Sequence, residues 1–222
     1  MVERGSDTGG ARETERLTAL WNEADMVKYT TKLGTDVTLD EKGLKARETV
    51  FPLRREGPSR YTILPPSGGV SAIATAPIRD GTFVFDGICG SDACIHQIPD
   101  RPIKMRVRNN VVTEVEGDNT VWPRMKPFLD AIGDPNVYRL PAHFGVAGNA
   151  NALLSPAHIK WERVRGGVVI GIGDNYNLSK YMGIKLPENL VTKAKFHWDC
   201  QMLNISMYLD YKLVVKEGER LV

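Results

Sequence analysis

The feature that most constrains the fold of this chain is a long series of short apolar runs separated by glycine and proline. Its 222 residues include 21 glycines and 13 prolines, and the runs between them have the length and composition of strands. Such runs lie at 36–39, 61–64, 70–76, 82–85, 167–173 and 204–209. Two hairpins are also predicted, one over 103–116 with a turn at Asn109-Asn110 and one over 211–222. The sequence therefore predicts an α+β fold, in which a mixed, mainly antiparallel β-sheet dominates a single compact domain.

A few helices are predicted to flank this sheet. The first covers 13–31, where apolar residues recur at helical spacing, and the polar segment 1–14 before it is expected to be a disordered tail. A second helix is predicted over 118–133, capped by Asp118 or Asn119. A third, short helix is predicted from 155 toward 165.

The charge of the chain limits its partners. The formal net charge is only +2, and basic and acidic residues are mixed along the sequence. This distribution indicates no nucleic-acid and no membrane partner. The N-terminus lacks the apolar core of a secretory signal, and no run is long enough to span a bilayer. We therefore expect a cytoplasmic protein.

Three cysteines, Cys89, Cys94 and Cys200, fit a reducing compartment. Their odd number and the lack of paired metal-finger spacing argue against a disulfide framework. We interpret them as buried or partly buried thiols, with Cys89 and Cys94 as possible ligands near Gly90.

The candidate functional site begins with His197 and Asp199, which lie two residues apart in an apolar, strand-like segment. Residues two apart in a strand point to the same face, so this imidazole and this carboxylate would share one space. Burying both is costly unless they hold a metal or each other. The alternative is a core histidine bonded to an aspartate, since a His-x-Asp tripeptide often arises by chance.

Three other histidines are available as a partner for this pair. His143 lies in an apolar segment with two glycines, 140–149, where an inward-facing imidazole would need a partner. His158 falls among charged residues on a predicted amphipathic helix, which favours a surface position. His96 follows Cys94 in a polar loop and could line a pocket. We therefore rank His143 first as a ligand and His96 second, as a residue that either supports a ligand or faces the substrate.

Two histidines and one carboxylate form the ligand set of mononuclear non-haem Fe(II) sites that leave one face of the metal open. The vacant positions would let a substrate oxygen and dioxygen bind side by side. The same three donors could hold Zn or Mn for hydrolysis, so the residues by themselves leave the metal open.

A series of short motifs, in order along the chain, resembles one metalloenzyme family. The motifs are Gly34-Thr35-Asp36-Val37-Thr38-Leu39, Pro66-Ser67-Gly68-Gly69 with Thr75-Ala76-Pro77, Val84-Phe85-Asp86-Gly87, Ala142-His143-Phe144-Gly145 with Asn149, Gly171-Ile172-Gly173-Asp174-Asn175 and His197-Trp198-Asp199. They resemble the C-terminal catalytic domain of the aminopeptidase T (thermophilic metallopeptidase) family and its dioxygenase relatives, typified by 2,5-dihydroxypyridine 5,6-dioxygenase. The resemblance assigns residues 15–222 to that domain, and the N-terminal domain usual in both branches is expected to be absent.

The resemblance also favours one branch. The peptidases carry a glutamate after the Gly-Gly turn and another at the position of His143, whereas here Val70 follows Gly69. A histidine at 143 together with His197 and Asp199 is similar to the iron ligands of the dioxygenases. The implied function is a mononuclear Fe(II) dioxygenase that opens or oxidises a small hydroxylated aromatic or heteroaromatic ring.

The other expected roles follow from this reading. His96 would act as acid or base, and Asp174 or Asn175 would orient a ligand or contact the substrate. Dioxygen and the aromatic compound are the expected partners, and a homo-oligomer or a partner subunit would replace the missing domain. Two alternatives stay open: an aminopeptidase-like hydrolase using Zn or Mn, and a non-catalytic scaffold that binds a peptide or small molecule.

Overall fold

Two antiparallel β-sheets contain nearly all the strands of this protein. A computed structural model describes residues 8–49, 55–56, 60–61, 70–73, 75–91, 96–150, 152–156, 161–181 and 185–222. The strands are β1 (Met26–Thr30), β2 (Asp36–Asp40), β3 (Arg47–Thr49), β4 (Arg55–Glu56), β5 (Arg60–Tyr61), β6 (Val70–Ile73), β7 (Gly81–Phe85), β8 (Cys89–Gly90), β9 (His96–Gln97), β10 (Ile103–Arg108), β11 (Val111–Glu116), β12 (His143–Ala147), β13 (Val168–Gly173), β14 (His197–Met202), β15 (Ser206–Leu209), β16 (Lys212–Lys216) and β17 (Glu219–Arg220). The helices are α1 (Thr8–Trp21), α2 (Trp122–Ile132) and α3 (Tyr176–Tyr181), with 3₁₀ helices at Pro135–Tyr138, Trp161–Arg163 and Glu188–Leu190.

Each sheet combines strands from distant parts of the sequence. The eight-stranded sheet has the order β11-β10-β7-β2-β1-β15-β16-β17, and the seven-stranded sheet has the order β3-β6-β12-β13-β14-β8-β9. Strands β4 and β5 form a separate pair. Neighbouring strands pair antiparallel throughout both orders. The predicted α+β class with a mainly antiparallel sheet is confirmed.

The hydrophobic core lies between the two sheets. Tyr29 of the eight-stranded sheet stacks on Phe144 of the seven-stranded sheet with 5.6 Å between ring centroids, and Phe83 lies 6.3 Å from the same ring. Along β14, Trp198 and Cys200 face this core and are fully buried. Since side chains alternate along a strand, His197 and Asp199 project from the opposite, outer face of the sheet. The sandwich therefore presents the candidate ligands on its outside surface.

The predicted helix over 13–31 is wrong at both ends. Helix α1 begins at Thr8, so residues 8–14 are helical rather than a tail, and it ends at Trp21. Residues 26–30, expected to be helical, form strand β1, which pairs with β2 and β15 and buries Val27 and Tyr29 alternately. Val27 also falls at helical spacing from the apolar face of α1, which misled the prediction; pairing on both edges of β1 decides the outcome.

Most other element predictions are confirmed. The hairpin over 103–116 forms β10 and β11, with Asn109 and Asn110 both at positive φ in the turn. Asp118 accepts hydrogen bonds from the backbone N–H groups at the start of α2, and Gly133 ends that helix in the left-handed region. Because residues 62–69 and 157–160 lie outside the described residues, the predicted strand over 61–64 and helix over 155–165 are observed only in part.

The cysteine prediction is confirmed where it can be compared. Cys89 and Cys200 are free, buried thiols opposite each other on β8 and β14, and burial raises the pKa of the Cys200 thiol well above its ordinary value. Cys94 lies outside the described residues. Among the described helices, none is long and apolar enough to cross a bilayer.

Candidate metal centre

Three adjacent strands bring the predicted ligands together on the outer face of the seven-stranded sheet. His143 is the first residue of β12, and His197 and Asp199 lie at the start of β14. The strand between them, β13, places Gly171 directly opposite both His143 and Asp199. A Cβ atom at position 171 would lie 2.4 Å from Cδ2 of His143 and 2.8 Å from Cε1 of His197. Glycine at this position therefore leaves the space into which the two imidazoles turn.

The three side chains meet at one point. Nε2 of His143 lies 2.9 Å and Nε2 of His197 lies 3.3 Å from Oδ1 of Asp199. The two imidazole rings stack with 5.3 Å between centroids. Donor atoms that share one metal ion at roughly 2.1 Å are separated by about 3 Å when they occupy neighbouring positions. The observed separations match that spacing.

The state of the Asp199 carboxylate also fits a metal. Its side chain is 19% exposed, yet Oδ1 itself is buried, and among the described residues no donor is aligned to give it a hydrogen bond. A buried carboxylate oxygen is costly unless another group satisfies it, and the two imidazole nitrogens lie at ion-pair distance from this one. A metal ion bound by both nitrogens and this oxygen would do so. Within the described part of the chain, the cluster has these three members and no fourth histidine, cysteine or carboxylate.

The backbone of Asp174 sets the tautomer of His197. Nδ1 of His197 lies 2.7 Å from the carbonyl oxygen of Asp174, so this nitrogen donates its proton to the carbonyl. In a neutral ring the lone pair then belongs to Nε2, which is the atom that faces Asp199. Burial lowers the pKa of the His197 imidazole, but the carboxylate of Asp199 outweighs this effect and raises the pKa to about 9. Burial raises the pKa of the Asp199 carboxyl, but the two imidazoles hold it well below its usual range. Without a metal, the negative charge of Asp199 therefore favours the protonated, positively charged form of the His197 ring.

The side chains of Asp174 and Asn175 are not directed to the three ligands. The Asp174 carboxylate accepts hydrogen bonds from the backbone N–H groups of Asn177 and Ala194. The Asn175 amide bonds the backbone between 190 and 192. Both side chains therefore shape the loop that follows β13, and the bond to the His197 ring comes from the carbonyl of Asp174.

His96 lies on the same outer face, farther along the sheet. Asp199 is opposite Gly90, and Gly90 is opposite His96. Two strand spacings amount to about 10 Å between the backbones of Asp199 and His96. His96 is half-buried, and its ring meets the edge of the Trp161 ring at 5.9 Å. The structure therefore separates His96 from the three converging donors but leaves it facing the same surface.

Three contributors escaped the sequence prediction of the site. The sequence indicates Gly171 only as part of a motif, although a glycine inside an otherwise β-branched strand is a known sign of close approach. The role of the Asp174 carbonyl has no signal in side-chain chemistry. Trp161, which lies beside His96, is distant in sequence from every predicted ligand.

One open cavity of the described residues does not contain the centre. It has a volume of about 690 Å³ and lies between Asn136 and Arg139 on one side and Tyr176 and residues 188–193 on the other. Lys193 lies over the Tyr176 ring at 4.5 Å within this wall. The residues that line the cavity do not include the three converging side chains. Geometry of the donor atoms, rather than cavity size, identifies the candidate site.

Known structures share this fold. The structure of 2,5-dihydroxypyridine dioxygenase from Pseudomonas putida matches with a TM-score of 0.67 and 18% sequence identity over 96% of this chain and 59% of that chain. Wild-type AmpT from Thermus thermophilus matches with a TM-score of 0.65 and 13% identity over 98% of this chain and 56% of that chain. The present chain thus spans less than two thirds of the length of either protein. A search of curated protein sequences finds no significant match.

The sequence itself matches one family model over residues 5–222, that of NicX, 2,5-dihydroxypyridine 5,6-dioxygenase. The match runs over nearly the whole chain and includes all three converging side chains. The resemblance drawn from the motifs is confirmed: the chain belongs to the 2,5-dihydroxypyridine 5,6-dioxygenase family.

Proposed function

We propose that His143, His197 and Asp199 hold one Fe(II) ion and that the protein is a dioxygenase that opens a small hydroxylated aromatic or heteroaromatic ring. The observation that carries this proposal is the convergence of two Nε2 atoms and one orphaned carboxylate oxygen. It occurs in a chain of the dihydroxypyridine dioxygenase family. Two imidazoles and one carboxylate suit Fe(II) with open coordination positions.

The protein supplies position and charge to this reaction. Bound Fe(II) would supply the redox-active centre at which a chelating substrate and dioxygen meet. Overall, one carbon–carbon bond of the ring breaks, and each of its two carbons gains one oxygen atom from dioxygen. The Asp174 carbonyl keeps Nε2 of His197 turned toward Asp199, and Gly171 keeps the space between the rings clear. These contacts preorganise the three donors before a ligand arrives.

We assign acid–base chemistry to His96. It faces the same side of the sheet as Asp199, two strands away, so it can reach the far edge of a ring bound at the metal centre. Imidazole takes up and releases a proton near neutral pH, and a ring hydroxyl must lose its proton before its oxygen can donate electrons to the ring. We also propose that the protein works in the cytoplasm, as a homo-oligomer or with a partner subunit.

The test combines metal content with oxygen uptake. Protein purified without oxygen and loaded with Fe(II), Zn(II) or Mn(II) is mixed with 2,5-dihydroxypyridine, and oxygen consumption is followed with an electrode. We expect oxygen to be consumed by the Fe(II) form and not by the Zn(II) or Mn(II) form. His143→Ala should lose both iron binding and oxygen uptake. His158→Ala is the matched control, because the sequence predicts a surface position for His158, and it should keep both properties.

Two results would reject the proposal. Unchanged iron binding in His143→Ala would remove that residue from the ligand set. Hydrolysis of aminoacyl substrates by the Zn(II) or Mn(II) form, with no oxygen uptake by the Fe(II) form, would instead support a metallo-aminopeptidase.

A further inference from the structure

Trp161 is hydrogen-bonded to the strand that carries Asp199. Gln201 lies two residues after Asp199 on the same face of β14, and its Nε2 donates a 2.6 Å hydrogen bond to the carbonyl oxygen of Trp161. The Trp161 ring is fully buried against Ile88 and Val169 on the outer face of the sheet. This small apolar cluster is separate from the main core. It fixes the indole next to the row of residues that includes the ligands.

The indole N–H of Trp161 is buried without an acceptor among the described residues. In two other tryptophans of the chain the indole N–H has an acceptor. Trp21 donates to Glu41, and Trp198 donates to the carbonyl oxygen of Val137 at 2.9 Å. Buried N–H groups are nearly always paired, so an unpaired one beside a candidate site calls for a ligand. The acceptor must be an oxygen or nitrogen lone pair, because indole can only donate.

The strand register places one glycine on the sheet face between Asp199 of the metal centre and His96, which the Trp161 ring contacts. Gly90, which has no side chain, is paired with Asp199 on one side and with His96 on the other. Directly opposed residues share a face, so Asp199 and His96 lie on one side of the sheet with their backbones about 10 Å apart and Gly90 between them. The Trp161 ring meets the His96 ring at 5.9 Å and 66° at the far end. One end of this row of residues has the metal ligands, and the other end has an unpaired donor.

We propose that Nε1–H of Trp161 donates a hydrogen bond to an oxygen substituent on the edge of the substrate ring that lies away from the metal. This makes Trp161 a residue that determines specificity for rings with oxygen atoms at opposite ends, and it rests on the proposed function. In 2,5-dihydroxypyridine, the ring nitrogen and the oxygen on carbon 2 are adjacent and can chelate, while the oxygen on carbon 5 lies at the opposite end. A ring that lacks this second oxygen leaves the indole N–H unpaired and should bind more weakly.

The experiment compares two ligands on two proteins without oxygen. Fe(II)-loaded wild type and Trp161→Phe are titrated anaerobically with 2,5-dihydroxypyridine and with 2-hydroxypyridine, and Kd is taken from the ligand absorbance. We expect wild type to bind the dihydroxy ligand at least about tenfold more tightly. Trp161→Phe should lose about that factor for 2,5-dihydroxypyridine, show little change for 2-hydroxypyridine and keep its iron content. Trp122→Phe, which changes a tryptophan on the core side of the sheet, should match wild type.

Each outcome decides the inference. Equal weakening of both ligands in Trp161→Phe, or no change in either, would overturn it while oxygen uptake by wild type keeps the proposed function. If Trp161→Phe does not fold, the comparison of the two ligands on wild type still tests the inference. Equal Kd values for 2,5-dihydroxypyridine and 2-hydroxypyridine would contradict the role of the second oxygen. Absence of both dihydroxypyridine binding and oxygen uptake in wild type would reject the proposed function, and the inference with it.

Discussion

Gly171 carries no side chain, yet the arrangement of the proposed metal ligands depends on it. It lies on the strand between the two that carry the ligands, opposite His143 on one side and Asp199 on the other. An added methyl group would lie within 2.8 Å of atoms in both histidine rings. Because these atoms are at the ends of side chains, the fold can accommodate the methyl group by moving the rings. We therefore expect the methyl group to disturb the positions of the two imidazoles more than the folding of the sheet.

Gly171→Ala should separate metal binding from folding. We expect Fe(II) affinity to fall by about 10- to 100-fold, because displaced imidazoles no longer point to a common position with Asp199. The free energy of unfolding of the metal-free protein should fall by only about 1–3 kcal/mol. Metal titration and chemical denaturation measure the two quantities. Ile172→Val, on the buried face of the same strand, should cost about 0.5–1.5 kcal/mol of stability and leave the affinity unchanged; equal affinities for all three proteins would contradict this reading of Gly171.

The turn of the β10–β11 hairpin is hydrogen-bonded to two other segments. One of them leads into strand β12, which begins at His143. Asn109 and Asn110 both have positive φ, as a two-residue hairpin turn requires. The Asn110 side chain also donates to the carbonyl oxygens of Ala76 and Leu140, at 3.2 and 2.9 Å. Its backbone carbonyl accepts from the N–H of Leu140. Asn110 therefore fixes the segment that leads into β12, whereas the described contact of Asn109 is made by its backbone N–H.

Glycine substitutions in this turn should have different effects at adjacent positions. Asn110→Gly keeps a favourable backbone but loses two side-chain hydrogen bonds to carbonyl oxygens, so it should lower the free energy of unfolding by about 1–3 kcal/mol. Asn109→Gly should stay within about 0.5 kcal/mol of wild type. Urea denaturation of the two variants measures the contrast. Similar losses in both would show that turn conformation, rather than the Asn110 side chain, is the important contribution.

The local sequence pattern predicts the strands and hairpins well. It does not predict contacts between residues that are far apart in sequence. The alternation around Asn109-Asn110 determines a hairpin by itself, and a His-x-Asp segment in a strand must place both side chains on one face. Strand β1 could not be separated from helix α1 by periodicity, because its pairing partners are far away in sequence. For the same reason the position of Trp161 beside His96 was not predictable. The three candidate ligands can be proposed from the sequence because their chemistry is encoded in residue type, whereas Gly90 and Gly171 contribute only through register across strands.

At the scale of the whole molecule, buried polar contacts join the N-terminal helix to the sheets. Arg220, near the C-terminus, donates to the hydroxyl of Thr14 at 2.8 Å and to the carbonyl of Val146 at 3.3 Å. Trp21 at the end of α1 donates to the buried carboxylate of Glu41, which follows β2. The packing of α1 therefore depends on ionisable groups within the fold as well as on Leu17 and Trp21 in its apolar face.

Glu41 should make the stability of the whole protein depend on pH. Burial raises the pKa of this carboxyl to about 8, although the bond from Trp21 opposes the shift. The folded chain therefore retains a proton that the unfolded chain releases near its ordinary pKa of 4.5. Because protonation favours the folded state, this stabilisation is complete below about pH 4.5 and is lost as pH rises through about 8. The loss is on the order of a few kcal/mol.

Glu41→Gln tests this dependence, since glutamine keeps an acceptor for the Trp21 N–H but does not ionise. We expect the variant to be close to wild type in stability at pH 5 and more stable than wild type at pH 8.5. Denaturant unfolding across this range gives the difference between the two curves, which removes the contribution of groups common to both proteins. Glu114→Gln, at an exposed carboxylate paired with Arg106 on the hairpin, should follow the wild-type curve. A constant difference between Glu41→Gln and wild type at every pH would mean that Glu41 is ionised in the fold, and that Trp21 and the surrounding backbone stabilise a buried charge.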